Sequence, residues 1–171
     1  MSREQRLPTA GSGRESVLTE RGPERGTAGS RALWLHDDVR QSIRDHAERD
    51  YPNECCGLLV GLRQDSAWQV EYARPARNLN QNRPRERYLL DPDDFMRADR
   101  EARNRGLDIV GVYHSHPDHP ARPSETDREN AWAALAYLIV GVCRGKTEEM
   151  KAWEYDGERF DERPVDGVPR Q

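Results

Sequence analysis

The sequence is poor in the features of a disulfide-stabilised, membrane-spanning or secreted protein. Its 171 residues include only three cysteines, and this odd number does not fit a disulfide framework. No C-x-x-C pair occurs, which excludes a cysteine-based zinc knuckle and a thioredoxin-like redox motif. No apolar run is long enough to cross a bilayer, and the N-terminus, MSREQR, has no apolar signal core. We therefore predict a cytoplasmic protein with reduced, buried cysteines and no membrane contact.

The sequence also lacks a strong charge of either sign. Its net charge is only −4, so electrostatics predicts no nucleic-acid partner. The length fits a single domain, but with 34% charged and 35% hydrophobic residues the chain is not expected to fold throughout. Residues 1–30 have few large apolar side chains and predict a disordered tail. We place the domain at 31–164 and a flexible C-terminal end at 165–171.

Helical and strand patterns alternate along the domain. Leu35, Val39, Ile43 and Ala47 recur every four residues, as on one face of a helix. Further along, Asp91 could cap a helix that Gly106 ends, with Pro92 in its first turn. Strands are predicted at 54–62, 67–76, 107–116 and 136–143, a second and a third helix at 91–106 and 124–135, a loop at 78–90 and a hairpin within 149–165. The order predicts an α/β fold in one domain, with a mixed β-sheet flanked by helices.

The stretch YHSHPDHPARPSETD, residues 113–127, contains three of the five histidines. His114 and His116 lie at i and i+2 of a predicted strand, on one face and roughly 6.5–7 Å apart along the chain. Asp127 could return from the next helix as a third ligand. Two histidines and a carboxylate form a common catalytic zinc set, although Mn, Fe, Co and Ni also accept nitrogen and oxygen ligands.

The same residues also have structural interpretations. Surface histidine pairs are common, and His119, between an aspartate and a proline, fits a solvated loop. Ser124 and Asp127 form an S-x-x-D pattern typical of a helix capping box. Metal-assisted hydrolysis also needs a general base. Glu54 stands out because it opens a buried strand before two cysteines, but chemistry alone does not choose among the glutamates.

These residues together resemble a known family. HSHPDHPARPSETD is similar to the JAMM (MPN-plus) metallopeptidase signature, H-[ST]-H-P-x6-S-x2-D. The segment YPNECCGLLVG resembles the glutamate-bearing segment of small bacterial and archaeal members, the Mec-like branch. The resemblance covers about residues 33–160. The signature matches without a gap at His114, Ser115, His116, Pro117, Ser124 and Asp127.

The resemblance implies a zinc-dependent peptidase of cytidine-deaminase-like fold with one Zn²⁺ per chain. By position, His114, His116 and Asp127 would bind zinc. Glu54 would take a proton from the attacking water and pass it to the leaving amine. Ser124 would donate a hydrogen bond to the tetrahedral oxyanion.

The resemblance also implies a class of substrate. Such enzymes cleave after the C-terminal Gly-Gly of ubiquitin-like proteins, and small prokaryotic members process sulfur carriers. We therefore expect a ubiquitin-like or sulfur-carrier protein as partner. The loop at 78–90 could be a flap whose Arg83, Arg85 and Arg87 meet an acidic carrier, or a solvated basic loop. The oligomeric state is not indicated.

Other functions fit the sequence less well. A cysteine protease using Cys55 or Cys56 leaves Asp127 and the H-x-H pair unexplained. A zinc nucleobase deaminase needs H-x-E with P-C-x-x-C, and a thermolysin-like site needs H-E-x-x-H, and all these patterns are missing. The alternative is a non-catalytic MPN-type interaction module. The presence of every ligand and of Glu54 argues against it.

Overall fold

The structure is a computed structural model that describes residues 31–167. The predicted tail at 1–30 and the last residues, 168–171, lie outside this range. The strands are β1 (Ala32–Leu35), β2 (Cys56–Arg63), β3 (Ala67–Ala76), β4 (Asp108–Pro117), β5 (Ala136–Cys143), β6 (Lys146–Tyr155), β7 (Phe160–Arg163) and β8 (Val165–Gly167). The helices are α1 (Asp37–Asp50), α2 (Pro92–Asn104) and α3 (Glu125–Glu129).

All eight strands form one sheet in the order β7-β6-β5-β4-β2-β3-β1-β8. The β4–β5, β1–β3 and β1–β8 pairs are parallel. The β2–β3, β2–β4, β5–β6 and β6–β7 pairs are antiparallel. This arrangement confirms the predicted α/β fold with a mixed sheet in a single domain. The loop at 78–90 also contains no named strand or helix, as expected.

The two long helices cover opposite faces of the sheet. The α1 residues Val39, Ile43 and Ala47 pack in a cluster with Tyr113. Ala98 of α2 belongs to a second cluster with Leu58 and Val112 on the other face. Because side chains alternate along a strand, His114 and His116 follow Val112 onto the face that α2 covers. Both histidines therefore lie on the face of β4 that Val112 contributes to the second cluster.

The residues that begin and end α2 are those predicted from the sequence. The Asp91 side chain accepts a hydrogen bond from the Asp93 N–H, and Pro92 is the first helical residue. Gly106 adopts a positive φ of 70°, which relieves the steric cost of ending the helix there. Among residues 31–167, no helix is long and apolar enough to span a membrane.

The start and end of the domain differ from the sequence prediction. Leu35 was assigned to the face of the first helix, but it lies in β1, fully buried and paired with Val70. The parallel pairing of β1 with β3 outweighs the helical spacing of the apolar residues. Val165 was predicted to begin a flexible end, yet Val165–Gly167 form β8, paired with β1.

The third helix is shorter than predicted. The pattern indicated a helix over 124–135, but α3 ends at Glu129, with Asn130 as its C-cap. Ala134 has a positive φ of 73°, which is incompatible with a continuing helix. The Trp132 N–H donates to the Tyr137 hydroxyl, so the chain turns back into β5. A hydrogen bond to the start of β5 is therefore made where a longer helix would have continued.

A buried polar chain connects α1 to the strand that carries the histidines. The His46 Nδ1 and the Tyr113 hydroxyl are 2.8 Å apart, and Nε2 lies 3.1 Å from an Asp50 carboxylate oxygen. Gly57 gives the Tyr113 ring its space, since a Cβ there would lie 2.3 Å from the ring. Burial lowers the pKa of His46, although Asp50 acts in the opposite direction and Arg49 adds to the lowering.

This lowered pKa predicts a pH-dependent contribution to stability. Unfolded His46 takes up a proton near its ordinary pKa, but the folded state resists it, so stability falls as pH drops below about 6.5. We expect His46→Gln to lose less free energy of unfolding between pH 7.5 and 5.5 than the parent. Urea unfolding with chelator present measures this. The exposed His119→Gln is the control, and equal losses in all three proteins would contradict the prediction.

Candidate metal centre and active site

Three predicted ligands converge at the end of β4. The Nε2 atoms of His114 and His116 are 3.1 Å apart. Asp127, in the first turn of α3, places Oδ1 3.0 Å from His114 Nε2 and Oδ2 3.3 Å from His116 Nε2. These residues form the one group of potential metal ligands within residues 31–167. His119 is exposed and outside this group, as expected for a loop residue.

The distances between the ligand atoms fit a tetrahedral zinc ion. Zn–N and Zn–O bonds of about 2.0–2.1 Å in tetrahedral geometry separate neighbouring ligand atoms by about 3.3 Å. The observed separations of 3.0 to 3.3 Å are close to that value. A set of three protein ligands also leaves a fourth position, which is typical of catalytic rather than structural zinc sites.

The electrostatics of the cluster also favour a cation. His114 is fully buried and His116 is 7% exposed, so neither nitrogen is well solvated. Burial lowers the pKa of His114 although the Asp127 carboxylate opposes this. Burial would raise the pKa of Asp127, but both histidines hold it well below its ordinary value. Burial would also lower the pKa of His116, but Asp127 and Glu54 outweigh the effect of burial and raise it. His114 and Asp127 are thus held in the protonation states that ligate metal, a neutral imidazole and an ionised carboxylate.

The second histidine is oriented by the loop that follows it. His116 Nδ1 lies 3.1 Å from the Pro120 carbonyl and can donate a proton to it, which leaves the Nε2 lone pair facing the cluster. Ala121, which follows Pro120, is held by two residues of β6. Its N–H donates to the Glu149 carboxylate, and its carbonyl accepts from the Trp153 indole. Sequence reasoning missed Glu149 and Trp153, since nothing in their local pattern indicates contact with this loop.

Glu54 lies beside the cluster, immediately before β2. It is 5% exposed, and its N–H donates to the Pro84 carbonyl at 2.7 Å. Burial raises the pKa of Glu54 to about 8, with His116 opposing this and Asp127 and Glu86 adding to it. A carboxyl group with this pKa can exchange protons near neutral pH, as a general acid–base group must.

Ser115, between the two histidines, fixes their position relative to Glu54. Its hydroxyl accepts a hydrogen bond from the Cys55 N–H at 2.9 Å, and its own N–H donates to the Cys55 carbonyl at 3.1 Å. Ser115 and Cys55 are both buried. Because Cys55 follows Glu54, this pair holds the glutamate at the level of both histidines.

Ser124 and Asp127 form the predicted capping box. The Ser124 hydroxyl accepts from the Asp127 N–H at 3.1 Å, and the Ser124 N–H donates to Asp127 Oδ2 at 2.7 Å. The hydroxyl also donates to Oδ2 at 2.7 Å. The box starts α3 and fixes the carboxylate that completes the cluster, so its structural role also serves the site.

Cys55 and Cys56 lack the environment of a nucleophilic site. Cys55 and Cys56 are buried. Burial raises the pKa of the Cys55 thiol to about 12 and also raises that of Cys56. Because the reactive form of cysteine is the thiolate, these thiols lack the environment of a catalytic nucleophile.

Comparison with known proteins agrees with this geometry. The profile of a family described as "Prokaryotic homologs of the JAB domain" matches residues 36–156. The desampylase of Haloferax volcanii is 38% identical over 141 residues, covering 80% of this chain and 96% of that protein. A probable TtuB-protein conjugate cleaving protease of Thermus thermophilus is 33% identical, covering 64% and 70%. The CysO-cysteine peptidase of Mycobacterium tuberculosis is 29% identical, covering 80% and 91%.

A solved structure has the same fold. The solution structure of protein DSY2949 from Desulfitobacterium hafniense superposes with a TM-score of 0.72 at 32% sequence identity. The match covers 81% of this chain and 94% of that chain.

The cluster predicts which histidines control metal content. We expect His116→Ala to lose bound zinc, because only two of the three ligands remain. His119→Ala should keep the zinc, because His119 lies outside the cluster. Elemental analysis of protein purified without chelator measures this, with circular dichroism to check folding. Equal zinc in both variants would contradict the assignment.

Proposed function

Since the chain belongs to the family of prokaryotic homologs of the JAB domain, we propose that it is a zinc-dependent metallopeptidase that releases a small protein modifier. Membership makes it a JAMM-type hydrolase. The proposed reaction is hydrolysis of a peptide or isopeptide bond after the C-terminal Gly-Gly of a ubiquitin-like or sulfur-carrier protein. The observation that carries this proposal is the cluster of His114, His116 and Asp127 beside the buried carboxyl of Glu54.

The names of the relatives support this class of substrate. One is described as cleaving conjugates of the protein TtuB, and another as a peptidase acting on CysO-cysteine. In both names the substrate is a protein, TtuB or CysO, linked to a second group. Cleavage of that link is the reaction proposed for the present chain. We extend this to the present chain as the proposed substrate class, without choosing between a peptide, an isopeptide and a cysteine adduct.

In the proposed mechanism the chain's own residues hold the metal and move the proton. His114, His116 and Asp127 would hold Zn²⁺, which when bound would acidify water and polarise the scissile carbonyl. Glu54 would accept a proton from the attacking water. The same carboxyl would then deliver that proton to the leaving amine, so that it ends the cycle unprotonated and ready for another water.

Ser124 would stabilise the negative charge that develops on the carbonyl oxygen. Its exposed hydroxyl donates to Asp127 Oδ2, and rotation about χ1 would redirect it to the substrate. The backbone arm of the capping box, from the Ser124 N–H to Oδ2, is independent of that rotation. The carboxylate would therefore keep its position while the hydroxyl acts on the oxyanion.

A Gly-Gly tail offers backbone rather than side chains for recognition. We propose that it binds in an extended conformation through main-chain hydrogen bonds, as in β-strand addition. The loop at 78–90 lies next to Glu54, through the Pro84 carbonyl, and its exposed Arg85 and Arg87 could meet acidic groups of the carrier. Arg83 pairs with Glu86 within the loop and is less available.

The Glu54→Gln variant tests the proposed base. Glutamine keeps the size of the side chain but cannot accept the proton, so we expect kcat to fall by about 10²–10⁴-fold. Zinc content should equal that of the parent. The assay is mass spectrometry of a Gly-Gly-tailed carrier extended by one residue, compared with the same carrier ending in Ala-Ala before the extension.

The two readouts separate the possible failures. A parent protein that contains zinc but cleaves neither carrier would favour a non-catalytic interaction module over the proposed enzyme. A Glu54→Gln variant as active as the parent would overturn the role of Glu54 alone.

The Ser124→Ala variant tests the oxyanion donor. We expect kcat to fall by about 10²–10³-fold, with zinc retained through the remaining ligand contacts. Loss of the cap should also lower the free energy of unfolding by about 1 kcal/mol. Ser124→Thr, which keeps a hydroxyl and a cap, should preserve most of both quantities. An alanine variant that loses only stability would restrict Ser124 to capping.

A further inference from the structure

The two histidines of the cluster are held in different ways. Metal-binding histidines ordinarily donate their second ring N–H to a carboxylate, a carbonyl or water, which fixes the ring. His116 follows this rule through the Pro120 carbonyl. His114 does not, because its Nδ1 is buried and has no hydrogen-bond partner within residues 31–167. A different contact must therefore orient the His114 ring.

That contact is an aromatic stack with Tyr88. The ring centroids of Tyr88 and His114 are 4.7 Å apart, and the ring planes are inclined by 30°. The His114 ring has a second ring neighbour, His116, at 4.9 Å and 58°. Tyr88 thus covers a face of the imidazole, while Nε2 stays directed at Asp127.

Tyr88 is held in place by hydrogen bonds within the loop at 78–90. Asn78 accepts hydrogen bonds from the N–H groups of Asn80 and Leu89 and donates to the Arg87 carbonyl. The residues on both sides of Tyr88 are therefore tied to one side chain. Asn78 also donates to the Glu54 carbonyl, which joins the loop to the segment just before β2 that carries the proposed base.

We propose that Tyr88 is a positioning residue that orients His114 for metal binding, in place of the missing hydrogen bond on Nδ1. This inference rests on the proposed metal site. The ring limits rotation of the imidazole about its bond to Cβ, so less conformational freedom is lost when Nε2 binds a cation. The stacked surface, rather than the tyrosine hydroxyl, carries the effect.

Zinc affinity of Tyr88 variants tests this proposal. We expect Tyr88→Leu to bind zinc roughly 10–100-fold more weakly than the parent, the range typical of lost outer-shell support. Tyr88→Phe keeps the ring and should stay within about twofold of the parent. Competition with a chromophoric chelator gives the affinities, and the absorption spectrum of the Co²⁺-loaded protein reports ligand geometry independently of activity.

A matched control separates orientation from general loss of packing. Phe160 lies in the same apolar cluster and contacts Tyr137 and Tyr155 rather than a histidine. Phe160→Leu should lower thermal stability much as Tyr88→Leu does, yet leave zinc affinity and the Co²⁺ spectrum unchanged. Equal losses of affinity in both leucine variants would overturn the inference.

The remaining outcomes are also decisive. Parental affinity in Tyr88→Leu would reject the positioning role while leaving the metal site intact. A loss in Tyr88→Phe as large as in Tyr88→Leu would assign the effect to the hydroxyl and overturn the stacking proposal. A parent that binds no zinc would reject the proposed function itself.

Discussion

The candidate site depends on the pairing of Cys55 with Ser115. Two hydrogen bonds join these buried residues, one from backbone to backbone and one from the Cys55 N–H to the serine hydroxyl. Cys55 follows Glu54, the proposed base just before β2, and Ser115 lies between the two histidines of β4. A register slip of one residue would turn both histidines to the opposite face of the sheet. The small hydroxyl residue between the histidines therefore holds the base and the ligands in one register while its own side chain serves the fold.

Asp127, the third proposed ligand, also has both a structural role and a role in the site. Asp127 belongs to a helix of only five residues, which is too short to be stable by its own hydrogen bonds. Its capping box with Ser124 and its contacts with both histidines replace that missing stability. Burial of the polar groups of His114 and Asp127 away from water nevertheless costs free energy, and a bound cation would offset this cost. Folding of the α3 start and metal binding are thus expected to support one another.

Local patterns predicted much of the fold and the convergence of His114, His116 and Asp127, whereas Glu54 was singled out by the family resemblance. The alternation along β4 set the face of His114 and His116, and the S-x-x-D pattern set the cap. The stack of Tyr88 on His114 was not predictable, since it joins a polar loop to a strand and has no periodic signal. The same holds for β1, where the pairing of Leu35 with Val70 overrode a helical pattern. Local patterns place the candidate ligands on one face of a strand and at a helix start, and long-range packing determines which groups surround them.

The loop at 78–90 contacts both the proposed base and one proposed ligand. Through Asn78 it contacts the Glu54 carbonyl, and through Tyr88 it contacts His114, so one segment supports both the proposed base and a proposed ligand. Because Asn78 makes bonds at both ends of the loop, displacement of the loop would move Tyr88 and the Glu54 backbone together. The loop, the Glu54 backbone and the ring that stacks on His114 are therefore linked through one asparagine side chain.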